Sequence, residues 1–222
     1  MKIRWGRLAW VIFACLYLGV FFWNFFHNFS LRFIPTAYLY ILILWLSFEF
    51  YFRQPFFQSG RLITEDPKTK EKYDYLHFLP RYLFALYFYS CLAWGIADFV
   101  WLRKGQIMFL GPFLNIVGII ILILSVLIRL QSDRLMFNRR HKIIKDWLYG
   151  SVRHPAYSAA ALLTISISFA FSSYFTLIYS LVIGLPLIYF EARLEDVFLA
   201  KKNGQDYQTY IKDTSLFIPA IL

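Results

Sequence analysis

The sequence predicts an all-α fold: a polytopic bundle of membrane helices, made of four spans, a C-terminal helical hairpin and a cytoplasmic tail helix. Three observations lead to this prediction. Apolar residues make up 59% of the 222-residue chain and charged residues only 16%, which is more apolar surface than one soluble core of this size can bury. The apolar residues are gathered in runs of about 20, the length of a membrane-spanning helix. The basic residues lie almost entirely on one side of these runs.

Four runs are long enough to cross a bilayer separately. They are Leu8–Phe26, Phe33–Phe52, Arg81–Leu102 and Ile107–Leu130. The first run is long for a secretory signal and lacks a small-residue cleavage site, so we expect it to be retained. Cys15 and Cys91 lie within these runs, without a second thiol or a spaced histidine nearby. They are therefore expected to be packing residues, and no metal site is indicated.

A fifth and a sixth run, Tyr157–Phe171 and Phe175–Phe190, are separated only by residues 172–174. This short separation predicts a tight helical hairpin. Pro155 suits the first turn of a helix, because its missing N–H would have no helical partner there. Gly204 is expected to end a helix that continues out of the last span into the cytoplasm. The apolar C-terminus beyond it is expected to return to the membrane or to pack on the body of the protein.

The distribution of basic residues predicts the topology. With the N-terminus placed in the cytoplasm, only Arg32, Arg103 and Lys104 of the 23 Lys and Arg residues fall in outer loops. All the others lie on the inner side, as the positive-inside rule requires. The net charge of +10 is thereby explained by the cytoplasmic loops and indicates no nucleic-acid partner. The mixed-charge segment from Arg53 to Leu79 is expected to be a solvated loop, and the basic segment Gln131–Tyr149 to attract anionic headgroups.

Ionisable residues stand at both feet of the predicted hairpin. Arg153 and His154 precede its first helix, whereas Glu191, Glu195 and Asp196 follow its second. Glu191 and Glu195 are four residues apart and share a helix face, while Asp196 is rotated by about 100°. The helix start beside Arg153 and His154 suits an anion, and an inward carboxylate suits an ammonium or a ribose hydroxyl. The two feet together would satisfy an amino-acid zwitterion, although each residue type is also an ordinary flank of a span.

A larger set of polar and aromatic residues surrounds these feet in a particular order. The set consists of His141, Lys142, Ile143, Ile144, Tyr149, Val152–Tyr157, Glu195, Asp196, Leu199, Gly204, Tyr207 and Tyr210. It resembles the C-terminal signature of the isoprenylcysteine carboxyl methyltransferase and phospholipid methyltransferase superfamily, over roughly residues 131–219. The chain is then a single membrane domain, residues 1–222, with four apolar spans in 1–130 and a methyltransferase-like region in 131–222.

The resemblance implies an S-adenosyl-L-methionine site at the cytoplasmic feet of the last helices, without a Rossmann domain. This agrees with the glycines of the chain, which nowhere form G-x-G. It implies that Arg153 and Glu195 are catalytic. The cofactor-binding residues that it implies are His141, Lys142, Ile143, Ile144, Tyr149, His154, Pro155, Ala156, Tyr157 and Glu195.

The chain departs from the family pattern at a few positions. Trp147 stands where the family often has Gly, Ala159 replaces a Gly, and Asp196 replaces a second Glu. Glu191 occupies the place of an arginine that the prenylcysteine enzymes use for the substrate carboxylate. Since like charges repel, a C-terminal prenylcysteine is not the expected acceptor. Arg193 is the other substrate-binding candidate, although it lies on a different helix face.

The expected reaction transfers a methyl group from a sulfonium to a lipophilic or small acceptor, which enters sideways from the surrounding membrane lipids. Such a transfer needs alignment of donor and acceptor in a water-poor site. A carboxylate or thiolate acceptor needs no general base. An amine would have to lose a proton, for which Glu195, Glu191, His154 and Tyr149 are the candidates.

Two other functions fit parts of the sequence. Membrane sterol and enone reductases that use NADPH have a related C-terminal pattern, with an acidic pair followed by Gly, an aromatic residue and a closing Ile-Pro, here Ile218-Pro219. A non-catalytic membrane scaffold or a small transporter would use Glu49 and Asp98 as relay residues. Both acidic residues lie near predicted span ends, so solvation at the membrane interface is the expected explanation for them.

Overall fold

A computed structural model of the chain describes residues 33–51, 67–107, 110–138, 143 and 145–217. This part of the chain is mostly helical and contains isolated β-bridges but no strand. Three of its helical stretches are long and apolar enough to cross a membrane: Tyr82–Leu102, Gly111–Leu135 and Tyr174–Asn203. The chain therefore has the helices of a membrane protein. The predicted first span, Leu8–Phe26, lies outside the described residues.

Helix α1 spans Phe33–Tyr51 and helix α2 spans Pro67–Ala97. The start of α2 corrects one expectation, because the segment up to Leu79 was expected to be a loop. A helix begins instead at Pro67, since proline fixes a helical φ and its missing N–H costs nothing at a first helical position. The bounds of α1 agree with the predicted second span to within a residue, although its described apolar stretch, Ile34–Phe48, is shorter than a full span.

A π-helical turn, Asp98–Leu102, follows α2 directly and ends at Arg103, which has a left-handed φ of 51°. Asp98 is fully buried. One of its carboxylate oxygens accepts a hydrogen bond from the Gly105 backbone N–H (3.0 Å) and the other accepts one from the Ser173 hydroxyl (2.7 Å). The expectation of interfacial solvation is wrong for Asp98, because the 103–106 loop folds back over it. The side chain of Glu49 lies outside those that the structure describes.

Helix α3 spans Gly111–Asn138 and packs along helix α5, Pro155–Ala170, more extensively than any other pair of described helices. Gly118 permits this close approach. A Cβ atom at position 118 would lie 2.4 Å from the Ala170 backbone nitrogen, and small residues let membrane helices approach at such distances. Helix α3 extends beyond the predicted end of its span at Leu130 and includes the start of the basic segment.

Helix α5 is followed by a short turn and by a long helical stretch with three parts. These parts are α6 (Tyr174–Tyr179), a second π-helical turn (Ser180–Gly184) and α7 (Leu185–Asn203). A short helix, α4 (Leu148–Ser151), precedes α5. All three parts contact α5. The π-helical turn accommodates Tyr87 of α2, whose hydroxyl donates to the Ser180 hydroxyl at 2.8 Å. Gly184 leaves room for the same ring, since a Cβ there would meet it at 2.4 Å.

Gly204 ends α7 as predicted, and its φ of 58° is a conformation that favours glycine. Helix α8, Gln205–Asp213, follows it and buries Tyr207 and Tyr210 on one face. This helix contacts α7. The tail helix thus lies against the end of α7 that carries the acidic residues.

The main apolar core joins α1, α2, α3 and α5. Its buried members are Tyr38, Leu42, Tyr87, Phe88, Cys91, Leu122, Leu163, Ile167, Ala170 and Phe171. The packing role expected for Cys91 is confirmed by its complete burial. Large apolar side chains also face outward along α3, at positions such as Ile116, Ile120 and Leu127. An outward apolar face of this kind suits contact with lipid.

Candidate functional site at the foot of α5 and α7

Helix α5 begins at Pro155, as predicted, and His154 is the residue that precedes it. The carbonyl of His154 accepts hydrogen bonds from the Tyr157 and Ser158 backbone N–H groups, both at 3.0 Å. These bonds fix the direction in which the chain enters the helix. Arg153 and His154 are both buried here, with 8% and 6% of their surfaces exposed.

The acidic residues of α7 lie opposite this helix start. Glu191, Glu195 and Asp196 are all buried, although the rotation of Asp196 by about 100° on the helix predicted two different faces. Glu195 and Asp196 both face the start of α5, and α8 also covers Asp196. Three carboxylates are thus held in a protein interior, where an unpaired charge is costly.

Basic and acidic side chains meet directly across these two helices. The Nε2 atom of His154 lies 2.7 Å from Oδ1 of Asp196, and its Nδ1 atom lies 3.8 Å from Oε2 of Glu195. The Nε atom of Arg153 lies 3.4 Å from Oδ2 of Asp196. We call Arg153, His154, Glu195 and Asp196 the charged cluster. Its members are close enough to compensate one another's charge in a medium of low dielectric constant.

Arg153 also holds the C-terminal segment in place. Its guanidinium donates hydrogen bonds to the backbone carbonyls of Ile211, at 2.8 Å, and Thr214. Its backbone N–H donates to the carbonyl of Ser215 (2.8 Å), and that of His154 donates to Leu216 (3.3 Å). The segment after α8 therefore packs on the body of the protein up to Leu216. The apolar end 219–222, which was expected to return to the membrane or to pack on the body, lies outside the described residues. The guanidinium points to these carbonyls and to Asp196, and it does not face the start of α5.

Buried tyrosines lie near the charged cluster, and Tyr207 contacts it directly. Tyr207 donates a hydrogen bond to Oδ1 of Asp196 at 2.8 Å, and Tyr210 donates one to the Tyr149 carbonyl at 2.6 Å. The Tyr149 hydroxyl lies 2.7 Å from the Ser132 hydroxyl of α3. Burial raises the pKa of all three phenols far above the ordinary range, and the Asp196 charge raises the pKa of Tyr207 further. Each therefore remains protonated and able to donate.

The remaining predicted cofactor residues are partly gathered at this place. Pro155 and Ala156 are buried, and Tyr157 is half-buried with its ring edge-on to His154 at 5.5 Å between ring centroids. Ile143 is half-buried. His141, Lys142 and Ile144 lie outside the described residues.

The two predicted substrate residues differ in position. Glu191 is buried one helical turn before Glu195, whereas Arg193 is exposed and lies over the Tyr189 ring, with 5.6 Å from its Cζ to the ring centroid. Arg193 therefore belongs to the outer face of α7. It does not offset the negative charge of Glu191 at the buried face.

From the sequence, Glu195 was expected to be the principal acidic residue, and no contact was predicted for Asp196. The structure shows that Asp196 makes the shortest contact with His154. The spacing of Tyr207 and Tyr210, three residues apart, indicated that both lie on one face of a helix. Their partners lie on other helices and could not be read from local spacing.

Comparison of the chain with protein-family models gives no match, and neither does a search among curated proteins.

Proposed function

We propose that this chain is an integral membrane methyltransferase that uses S-adenosyl-L-methionine and acts on a lipophilic or small acceptor. The observation that supports the proposal best is the charged cluster at one end of a bundle of apolar helices. Ionisable residues at such positions are costly and usually functional. Its four members, Arg153, His154, Glu195 and Asp196, also belong to the larger set of residues that resembles the isoprenylcysteine carboxyl methyltransferase signature.

The carboxylates of the site fit the chemistry of this cofactor. S-adenosyl-L-methionine carries an ammonium, a sulfonium and two ribose hydroxyls, all of which favour a carboxylate nearby. Among the described residues, the Glu195 carboxylate contacts one basic group, the His154 ring at 3.8 Å, and it accepts no hydrogen bond. Its side chain keeps 11% of its surface exposed. Glu195 therefore has acceptor capacity that a ligand can reach, whereas Asp196 is enclosed. Its Oδ1 contacts His154 and Tyr207, and its Oδ2 is buried beside Arg153.

When bound, the cofactor would supply a methyl group on a positively charged sulfur, and this sulfur would leave as a neutral thioether on the side opposite the acceptor. The residues of this chain would then have three tasks. Glu195 and His154 would hold the polar end of the donor, and the apolar helices would exclude water. The fixed start of α5 would keep the donor aligned with its acceptor.

Glu191 bears on the class of acceptor. It is buried on the same face of α7 as Glu195, so the two carboxylates add to the negative potential there. This potential opposes a negatively charged acceptor and favours an amine or another acceptor without negative charge. An amine would have to transfer a proton, for which the carboxylates of this face, Glu191 and Glu195, are the candidates.

Binding of the donor is the direct test. Calorimetry with purified protein in detergent is expected to show binding of S-adenosyl-L-methionine and of its demethylated product. Glu195→Gln should weaken this binding by about tenfold or more, because it removes a charged hydrogen-bond acceptor. Asp206→Asn is the matched control, since it removes a carboxylate from an exposed position on α8.

Two results would contradict the proposal. One is the absence of binding of either compound to folded wild-type protein. The other is stabilisation by NADPH, but not by S-adenosyl-L-methionine, in a thermal-shift measurement, which would favour the reductase function. Equal effects of Glu195→Gln and Asp206→Asn would place the donor elsewhere on the protein.

The proposal includes the full topology: four spans and a C-terminal hairpin, with both termini and the charged cluster on the cytoplasmic side. The long apolar helices and the bias of basic residues support it. A membrane-impermeant maleimide should label Lys201→Cys from the cytoplasmic side and Lys104→Cys from the opposite side, with the wild-type protein as the control for its two cysteines. The reverse pattern would contradict this orientation.

A further inference from the structure

Asp196 lies at the centre of the charged cluster and has three neighbours on two segments, the start of α5 and helix α8. Its Oδ1 atom is 2.7 Å from Nε2 of His154 and 2.8 Å from the Tyr207 hydroxyl, while its Oδ2 atom is 3.4 Å from Nε of Arg153. Only 4% of its surface is exposed. Asp196 is therefore enclosed by protein groups and acts on a ligand only through them.

These contacts determine which nitrogen of His154 carries a proton. The Arg153 guanidinium beside Oδ2 favours the ionised carboxylate, and an ionised carboxylate can only accept hydrogen bonds. Tyr207 already donates one hydrogen bond to Oδ1. The 2.7 Å contact of the same oxygen with His154 then requires a donor, so the His154 proton is on Nε2. The Tyr157 ring, edge-on at 5.5 Å, restricts the ring further.

The other ring nitrogen, Nδ1, is turned towards Glu195. The distance of 3.8 Å between Nδ1 and Oε2 is longer than a hydrogen bond. A ring whose only proton is on Nε2 has an acceptor at Nδ1, and two acceptors would then face each other across this gap. An ammonium or hydroxyl group of a ligand placed beside this gap, about 2.8 Å from both atoms, could donate to them.

We propose that Asp196, supported by Tyr207, is a positioning residue that fixes the Nε2–H tautomer of His154 and presents Nδ1, beside Glu195, to an ammonium or hydroxyl group of a bound ligand. The identity of that ligand as the methyl donor rests on the proposed function. The tautomer of His154 does not, because it follows from contacts within the protein.

The tautomer can be measured by NMR of protein labelled with ¹⁵N in its histidine rings, at pH 8 in detergent. The chain has four histidines, and loss of one signal pair in His154→Gln assigns the residue. The wild-type protein should show a protonated Nε2 and an unprotonated Nδ1. A ring with its proton on Nδ1, or on both nitrogens, would overturn the proposal.

Asp196→Asn is the informative variant because it keeps the shape and removes the charge. The amide oxygen should turn to Arg153, and the amide NH₂ should turn to His154 and make Nε2 an acceptor. The proton of the ring should then move to Nδ1, and affinity for S-adenosyl-L-methionine should fall about tenfold. Asp196→Glu, which keeps a carboxylate, should retain the wild-type tautomer. An Asp196→Asn protein with an unchanged tautomer would refute the positioning role.

Two tyrosine variants guard against a purely structural explanation. Tyr207→Phe removes one hydrogen bond from Asp196 and should weaken donor binding by about threefold, with the tautomer kept. Tyr210→Phe removes a similar hydrogen bond from the same helix without touching Asp196, so the His154 signals and the affinity should not change. Equal losses of affinity in both variants would indicate general loosening of α8 and overturn the proposal.

The results separate the two proposals. Wild-type protein that shows the expected tautomer and its change in Asp196→Asn, but binds no methyl donor, would leave the positioning role standing and remove the proposed function. If the wild-type protein binds the donor but the His154 tautomer is the same in Asp196→Asn, the proposed function would stand and the positioning role would be refuted.

Discussion

Replacement of Asp98 by alanine is expected to lower the stability of the bundle substantially. The carboxylate is fully buried and accepts hydrogen bonds from the Gly105 backbone N–H and the Ser173 hydroxyl, at 3.0 and 2.7 Å. Its removal leaves two polar groups without their partner in the protein interior. Each such group costs about 1–3 kcal/mol, so we expect a loss of about 2–4 kcal/mol after local relaxation.

The measurement is the thermal midpoint of the purified protein in detergent. For a chain of this length about 1 kcal/mol corresponds to about 2–4 °C, so Asp98→Ala should lower Tm by roughly 5–12 °C. Asp98→Asn should cost only about 1 kcal/mol, because the amide oxygen still accepts from Gly105 and the amide nitrogen can donate to the Ser173 oxygen. The exposed Asp206→Ala, on α8, is the control and should leave Tm unchanged.

A double-mutant cycle tests the contact itself. Ser173→Ala should destabilise the wild-type protein, yet it should have a smaller effect when Asp98 is already alanine, because the two side chains share one hydrogen bond. A Tm of Asp98→Ala within about 2 °C of wild type, or additive effects of the two substitutions, would refute the reasoning. Asp98 would then be solvated at the interface, as its position near a span end suggested.

Three further substitutions test the packing of the helices. Gly118→Ala should lower Tm by at least about 4 °C, since the added Cβ would lie 2.4 Å from the Ala170 nitrogen and force α3 away from α5; an unchanged Tm would contradict this close approach. Gly204→Ala should lower the free energy of unfolding by about 1–3 kcal/mol, seen as a lower Tm, because φ is 58° and ψ is −134° at this position. A higher Tm in the variant would contradict this backbone conformation. Tyr210→Phe should lower Tm by about 2–4 °C through loss of the 2.6 Å bond to the Tyr149 carbonyl, whereas a larger loss would indicate lost packing.

Many helix boundaries could be predicted because their signals are local. Pro155 begins α5 and Gly204 ends α7 as expected, since proline and glycine act through their own backbone conformations. Local signals failed at Pro67, where the polar and charged composition of 67–79 suggested a loop. The same residues form the start of α2, because polar residues are compatible with a helix that extends beyond the membrane.

The candidate site was predicted in part. His154 and Glu195 do lie at the same end of the bundle and face each other. The role of Asp196 was missed because a helical rotation of about 100° separates it from Glu195, and spacing on one helix does not show what covers each face. Arg153 was expected to serve an anion at the start of α5. Its guanidinium binds carbonyls from residues 211 and 214, which approach only when α8 folds back.

The sequence by itself determined that this is a membrane protein and where its apolar helices approximately lie. The length of an apolar run and the backbone effects of proline and glycine need no tertiary contact. Only the tertiary structure decided that Asp98 is buried, that Asp196 holds His154 and that the tail lies under Arg153. Each of these contacts joins residues more than 40 positions apart or depends on how α7 is covered by its neighbours. The physical reason is that a buried polar group takes whichever partner the packing of the helices brings within hydrogen-bonding distance.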